Sequence, residues 1–286
     1  MISSEAFQNE INLIIANAIR EDVGEGDHSS LACIPPHTFG KAQLLVKDKG
    51  IIAGVDFARQ VFKYVDPRLK VFVKIIDGSP VKFGDVAFEV IGSQQSILKA
   101  ERLVLNAMQR MSAIATKTNQ YVKILEGTKT RILDTRKTTP GIRALEKWAV
   151  KIGGGNNHRF ALYDAIMLKD NHIDFAGGIT NALNLTVAYL KENKLNLKVI
   201  VEARDMEEIK LILSHGGADR ILIDNFGIQD TKNAIKLIGD KCEIESSGGI
   251  DEITLRHYAE CGVDFISAGA LTHSVHNLDL SLKAIK

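Results

Sequence analysis

The chain carries almost no net charge: 36 lysines and arginines face 35 aspartates and glutamates over 286 residues, a formal charge of +1. That balance argues against a nucleic-acid partner, which calls for a strongly basic surface. Cysteine is scarce. The three present, Cys33, Cys242 and Cys261, show neither metal-ligand spacing nor the pattern of a disulfide framework, a usage that suits a reducing cytoplasm. Glu5 and Glu10 stand near the amino terminus with no basic region ahead of an apolar run, so no secretory signal is read there. No apolar run is long enough to cross a bilayer. These absences leave a cytoplasmic protein, with no membrane and no nucleic acid as partner, as the expectation.

What the chain does have is an uneven placement of its cations. Between Asp134 and His172 seven positive and four negative residues give a local charge of +3. Arg136, Lys137, His158, Arg159 and Lys169 fall where a chain turns rather than on helix faces. Cations gathered in glycine- and proline-punctuated loops point to a pocket for a small polyanion, such as a phosphorylated or carboxylated metabolite. Arg143 and Lys147, four residues apart on a predicted helix, read instead as solvated charge. Trp148, with Leu145 and Ile152 around it, reads as core, and Asn171 and His172 as residues that fix the loop after Lys169.

The organisation follows from periodicity. Phe7, Ile11, Ile14, Ile15 and Ala18 recur at helical spacing ahead of Gly24 and Gly26. Short β-rich runs follow at Gln43–Lys47, Ile51–Val55, Leu69–Ile76 and Val86–Ile91, then helical patterns at Gln94–Met111 and Ala113–Leu125. From Arg131 the pattern alternates strand and helix, with strand-like runs at Arg131–Asp134, Ala165–Leu168, Lys198–Val201, Arg220–Ile223, Cys242–Glu245 and Phe265–Ser267. Regular alternation implies parallel strands joined by right-handed crossovers. Glu202, Asp224, Ser246 and Ala268 lie 22 residues apart, which favours a closed barrel over an irregular sheet. The predicted fold is α/β: an amino-terminal α+β domain over residues 1–112 and a parallel α/β barrel over 113–286, of fewer than eight strands or of eight with two that the pattern does not reveal.

In such barrels the loops after the strands converge on the active site. The residues there are Thr135, Arg136, Lys137, Lys169, Glu202, Asp224, Ser247, Gly248, Gly249, Ala268, Gly269 and Ala270. The two small-residue loops suit phosphate, because glycine lets backbone N–H groups approach an anion and a helix start near Asp251 adds partial positive charge. Taken singly, either loop reads equally well as a tight turn. Gly153-Gly154-Gly155 follows a helical stretch rather than a strand and is no dinucleotide fingerprint. Glu202 and Asp224 suit ribose hydroxyls, a water-mediated Mg²⁺, or a developing positive charge; as isolated acids they would read as caps or ion-pair partners. Arg136 and Arg159 offer planar forks for carboxylates, while Lys137 and Lys169 offer point charges for phosphate. No side chain reads as an activated nucleophile.

Glu21–Asp27, Glu101–Asn106, Asp134–Gly141, Gly153–Arg159, Lys169–His172, Glu245–Ile250 and Ser267–Ser274 together resemble the motifs of the quinolinate phosphoribosyltransferase family over nearly the whole chain. The resemblance implies an amino-terminal open α/β sandwich before the barrel, and a homodimer or larger assembly. It implies a Mg²⁺-dependent reaction of quinolinate with phosphoribosyl pyrophosphate that yields nicotinate mononucleotide, pyrophosphate and CO₂ in de novo NAD synthesis. By the same resemblance Arg102 reaches a neighbouring subunit's pocket, and Arg136, His158 and Arg159 hold the two quinolinate carboxylates. Lys137 and Lys169 bridge the substrates, Glu202 and Asp224 face ribose and metal, and the two small-residue loops take the 5′-phosphate. Lys151, Ala161 and Ser29 depart from the family's usual arginine, glycine and threonine. The alternatives are a paralogous phosphoribosyltransferase acting on another carboxylated ring, and a non-catalytic anion-binding protein.

Overall fold

The computed structural model describes residues 4–285. Its strands in chain order are β1 Phe39–Val46, β2 Gly50–Ile51, β3 Lys70–Val73, β4 Pro80–Val81, β5 Val86–Ser93 and β6 Arg131–Leu133. The remainder are β7 Ile166–Leu168, β8 Val199–Ala203, β9 Arg220–Asp224, β10 Glu243–Ser247, β11 Phe265–Ser267 and β12 Leu280–Ile285. They fall in two compact units. One comprises residues 4–119, 137–154 and 271–285; the other comprises 120–136 and 155–270.

The first unit holds a four-stranded sheet in the order β12-β1-β5-β3, every neighbouring pair antiparallel, and a small β2-β4 pair. Its opening helix, Ser4–Val23, buries Ile11, Ile14 and Ile15, the stripe that the helical spacing marks out. Phe57, Phe62 and Phe88 have no exposed surface, and the last two meet edge to face at 5.8 Å. Each such side chain contributes about 1.5–3 kcal/mol through burial.

Three local expectations differ here. The run Ile51–Val55 is strand only at Ile51, the end of β2, and a helix begins at Val55 and runs to Val65. Its first turn is closed by Asp77, whose carboxylate accepts from the Val55 and Asp56 N–H groups at 2.8 and 3.1 Å. A cap delivered from 22 residues downstream leaves no local signature. The two helical patterns after residue 94 form one helix, Gln94–Ile124. The polar residue that separates them, Ser112, is buried, accepting from the Ala53 N–H and donating to its carbonyl. Finally, β12 returns the carboxyl-terminal segment to the first sheet, beside β1, although the sequence boundary at residue 112 leaves it with the barrel.

The second unit holds six parallel strands in the order β6-β11-β10-β9-β8-β7. The predicted runs locate all six to within one or two residues at each end. The first strand lies beside the last, and the others follow in sequence, which is the neighbour order of a ring cut between β6 and β7. At that cut a parallel bridge joins Leu133 to Asn156. Ile132, Val201, Ile221, Ile223 and Ile266 are buried to 1% or less, as strands covered on both faces require.

Candidate active site

Register decides which side chains share a face, because partners in a ladder point the same way and residues two apart follow them. Glu202 pairs with Leu222, Leu222 with Glu245, and Asp224 with Ser247. Glu202, Asp224, Glu245 and Ser247 therefore project from one face, near the carboxyl ends of β8, β9 and β10. Ser246 pairs with Ile223 and points the other way, so of the two serines it is Ser247, the one marked for the site, that shares the face of Asp224. A spacing count cannot supply register.

Glu202 and Asp224 are close enough to interact. Burial first, and the charge of Asp224 second, push the Glu202 carboxyl above its usual value, and Lys169, 4.0 Å away, only partly offsets them. Folding thus favours the protonated form. The charged form weakens the fold above the raised pKa, and that penalty fades as pH falls toward the ordinary carboxylate value. Glu202→Gln is expected to raise Tm near pH 8 and to leave it little changed near pH 4. Equal shifts at the two pH values would assign the effect elsewhere.

Lys169 follows β7 directly and is the residue before the helix Asp170–Phe175. Its N–H donates to His172 Nδ1 at 3.1 Å, so His172 does fix this loop. Arg159 is partly buried, and its Nη1 donates to the Ala165 carbonyl at 3.1 Å. Its Nε is a buried donor with no hydrogen-bond partner among the described residues. Burial, followed by the like charge of Arg136, pulls the Arg159 guanidinium below its ordinary pKa, with Asp164 opposing. Two guanidiniums that repel, one carrying an unfilled donor, form a site that an anion stabilises.

His158 is fixed by Asp134, a fully buried carboxylate that accepts from the His158 N–H at 2.8 Å and from Asn157 Nδ2 at 2.6 Å. The imidazole Nε2 lies 3.3 Å from Glu245. Burial works against charge on Glu245, yet its contact with His158 first, and the positive charge of Arg220 after it, hold its carboxyl below the usual range. Glu245 and Arg220 join the site from outside the set of residues that the sequence alone marks. The signal was present: an acid two residues before Ser247, on a strand buried on both faces, requires a buried partner.

The glycine loop after β10 takes a left-handed course. Gly248 and Gly249 have φ of 96° and 61°, a region that L side chains rarely adopt. Asn225, at φ 56°, donates its N–H to the Ser247 carbonyl at 2.8 Å and its side-chain amide to Asp224 at the same distance. The next helix begins only at Leu255, and Asp251 instead accepts from the N–H groups of Ile253 and Thr254. The helix start expected near Asp251 thus lies one turn further on, at Leu255. After β11, Ala270 opens a helix that ends at His273.

Thr135, Arg136, His158, Arg159, Lys169, Glu202, Asp224, Ser247–Gly249 and Ala268–Ala270 all belong to the barrel unit, whereas Arg102 and Lys137 belong to the other. Arg102 is exposed on the helix Gln94–Ile124. The Lys137 carbonyl accepts from the Thr272 hydroxyl at 2.8 Å. The loop that follows is gripped by Glu146, which has no exposed surface. It accepts from the Thr139 N–H and hydroxyl at 3.1 and 2.8 Å, and from Arg110 at 2.9 and 3.1 Å. Lys147 is only 2% exposed, and Arg143 Nε bonds the Thr138 hydroxyl at 3.0 Å, so neither is the solvated charge expected. Trp148 is half-buried, edge-on to Phe7 at 5.6 Å. At Gly153 a Cβ would lie 2.5 Å from the Ala115 carbonyl, so this glycine serves close helix packing.

Two family profiles match the chain. The N-terminal domain of quinolinate phosphoribosyl transferase matches residues 27–112, and its C-terminal domain matches residues 114–283. The chain is 43% identical over 289 residues to a nicotinate-nucleotide pyrophosphorylase [carboxylating], chloroplastic, of Oryza sativa subsp. japonica, covering 96% of this chain and 77% of that protein. It is 37% identical over 273 residues to a probable nicotinate-nucleotide pyrophosphorylase [carboxylating] of Bacillus subtilis, with coverage of 96% and 93%. The crystal structure of NadC from Streptococcus pyogenes is similar at a TM-score of 0.89 and 37% identity, over 97% of this chain and 98% of that one.

Proposed function

The chain belongs to the quinolinate phosphoribosyltransferase family, and we infer that its paired guanidiniums, Arg136 and Arg159, hold the two carboxylates of quinolinate. It is a decarboxylating phosphoribosyltransferase: quinolinate and phosphoribosyl pyrophosphate become nicotinate mononucleotide, pyrophosphate and CO₂, a step of NAD biosynthesis. The observation that carries the residue assignment is the partly buried Arg159, with its unfilled Nε and its repulsive neighbour Arg136. A dicarboxylate engages both guanidiniums at once, whereas a monocarboxylate engages one.

Ser247, Gly248 and Gly249, with Ala268, Gly269 and Ala270, take the 5′-phosphate through their backbone N–H groups. Glu202 and Asp224 face the ribose, where their charge stabilises the oxocarbenium-like centre as the C1–pyrophosphate bond breaks. Lys137 and Lys169 neutralise the phosphates around that bond. The pyridine nitrogen attacks C1, and the resulting quaternary nitrogen accepts the electron pair left when the adjacent carboxylate departs as CO₂. That carbon then takes a proton. Positioning and electrostatics do the work, without a covalent enzyme intermediate.

Mg²⁺ fits the residues present. Two interacting carboxylates on one face suit an ion that keeps several waters. When bound it would neutralise charge on the departing pyrophosphate. The reading also includes a homodimer in which Arg102 completes the neighbour's pocket, and residence in the cytoplasm. The cysteines are free, and no helix among the described residues is long and apolar enough to cross a membrane. Plant relatives carry chloroplastic or mitochondrial in their names.

Pyrophosphate release with quinolinate and nicotinate offered separately tests the reading. Quinolinate is expected to be preferred by at least about a hundredfold, since losing one partner of a partly desolvated charge pair costs on the order of 3 kcal/mol. Equal turnover of the two acids would overturn it.

A further inference from the structure

Glu245, the third residue of β10, is fully buried, and the reaction as assigned above gives it no role. One of its oxygens, Oε2, accepts from Arg220 Nη1 at 2.8 Å and lies 3.3 Å from His158 Nε2. Arg220 is immobilised in turn. It donates to Glu243 at 2.9 and 3.1 Å, and its guanidinium stands 4.0 Å over the Phe265 ring. A carboxylate held on such a support presents a fixed acceptor.

The other side of the His158 ring settles its proton. Nδ1 accepts the backbone N–H of Arg159 at 2.7 Å. An acceptor nitrogen carries no hydrogen, so the ring N–H sits on Nε2, 3.3 Å from Glu245 Oε2. The main chain of His158 is tied to Asp134, and the guanidinium of Arg159 to the Ala165 carbonyl. Ring, backbone and side-chain anchors therefore converge on the orientation of Arg159.

We propose that Glu245 is a positioning residue for quinolinate: through the neutral Nε2–H tautomer of His158 it sets the entry of the chain into Arg159, and His158 serves as the orienter of that arginine rather than as a third cation. This rests on the reading of Arg159 as a carboxylate-binding residue. A misplacement of the fork by even 1 Å weakens recognition of a planar dicarboxylate far more than it disturbs phosphate binding elsewhere on the sheet.

The tautomer is measured in the full-length wild-type protein by ¹⁵N NMR of histidine-labelled material, the His158 signals being assigned by their loss in His158→Gln. Near pH 7.5 the expected result is an unprotonated Nδ1 and a protonated Nε2. A protonated Nδ1 overturns the proposal, and this measurement requires no activity. In kinetics, Glu245→Ala and His158→Ala are each expected to raise KM for quinolinate about tenfold, with KM for phosphoribosyl pyrophosphate within about twofold and the double variant no worse than either single. Glu245→Gln keeps an oxygen acceptor and is expected to stay within about threefold of wild type. Multiplicative effects in the double variant, or equal rises for both substrates, overturn the proposal. If Glu245→Ala does not fold, the wild-type tautomer and the Glu245→Gln kinetics decide the matter. A wild type that fails to turn over quinolinate sinks the functional reading instead, and the NMR result stands apart from it.

Discussion

Arg159→Ala is expected to lower kcat/KM for quinolinate by about a thousandfold while leaving KM for phosphoribosyl pyrophosphate within about threefold. Removing one partner of a desolvated, hydrogen-bonded charge pair costs on the order of 2–5 kcal/mol, and the upper part of that range applies because the Arg159 guanidinium is partly buried and brings an otherwise unfilled donor to the anion. The free enzyme should not suffer in parallel. Without ligand, the arginine bears both a desolvation cost and the repulsion of Arg136, so the variant's Tm should equal or exceed that of wild type. Initial rates of pyrophosphate release, with each substrate varied in turn, and a thermal melt of the same preparation measure both effects. A variant that loses activity equally toward both substrates, or that melts several degrees lower, would mean that Arg159 is a structural ion and not the carboxylate fork.

The second large effect is expected at Gly248. A methyl group there would lie 2.2 Å from Asn225 Oδ1 and 2.8 Å from the Asn225 backbone nitrogen, and the residue's φ of 96° already disfavours any side chain. The amide oxygen can swing aside, whereas the backbone nitrogen is held by its bond to the Ser247 carbonyl. Gly248→Ala must therefore shift the β9 and β10 loops together, and through the Asn225 amide it disturbs Asp224. KM for phosphoribosyl pyrophosphate should rise by roughly 10- to 100-fold with a fall in kcat, since conformational strain of 1–3 kcal/mol is placed inside the phosphate site. Gly249→Ala provides the control. Its Cβ would meet nothing within 4 Å, so only the cost of a positive φ, about 1–2 kcal/mol, applies. Direct titration of each ligand into the two variants separates them. If Gly249→Ala proves as damaging as Gly248→Ala, the contact with Asn225 is not what constrains the loop.

Both predictions depend on features that differ in how far the chain advertises them. The loop cations Arg136, Arg159 and Lys169 could be picked out because they break local rules: charge concentrated at turns, in a protein otherwise balanced, has few uses besides an anion. The six barrel strands were legible for a similar reason. A short run of β-branched residues followed by an amphipathic stretch is written in adjacent positions, and each run ended within two residues of the observed strand. The opening helix with Ile11, Ile14 and Ile15 inward belongs to the same class.

The rest was decided by partners remote in the chain. Val55 starts a helix because Asp77 closes its first turn, and Leu280–Ile285 becomes a strand because β1 offers it an edge. Glu146 and Lys147 sit on a helix whose text reads as amphipathic, yet Glu146 is buried because Arg110 and Thr139 satisfy it. Ser246 and Ser247 are equivalent as text; a one-residue difference in register sends one to the face of Asp224 and the other away. The role of His158 shows the division most sharply. Its type and its place beside Arg159 mark it as a site residue, but the position of its proton depends on a neighbour's N–H at one nitrogen and on a carboxylate from a distant strand at the other. Composition and periodicity act over a few residues and so establish which segments fold and where charge gathers. Register, buried ion pairs and tautomers are set by contacts between segments, and only the folded chain brings those segments together.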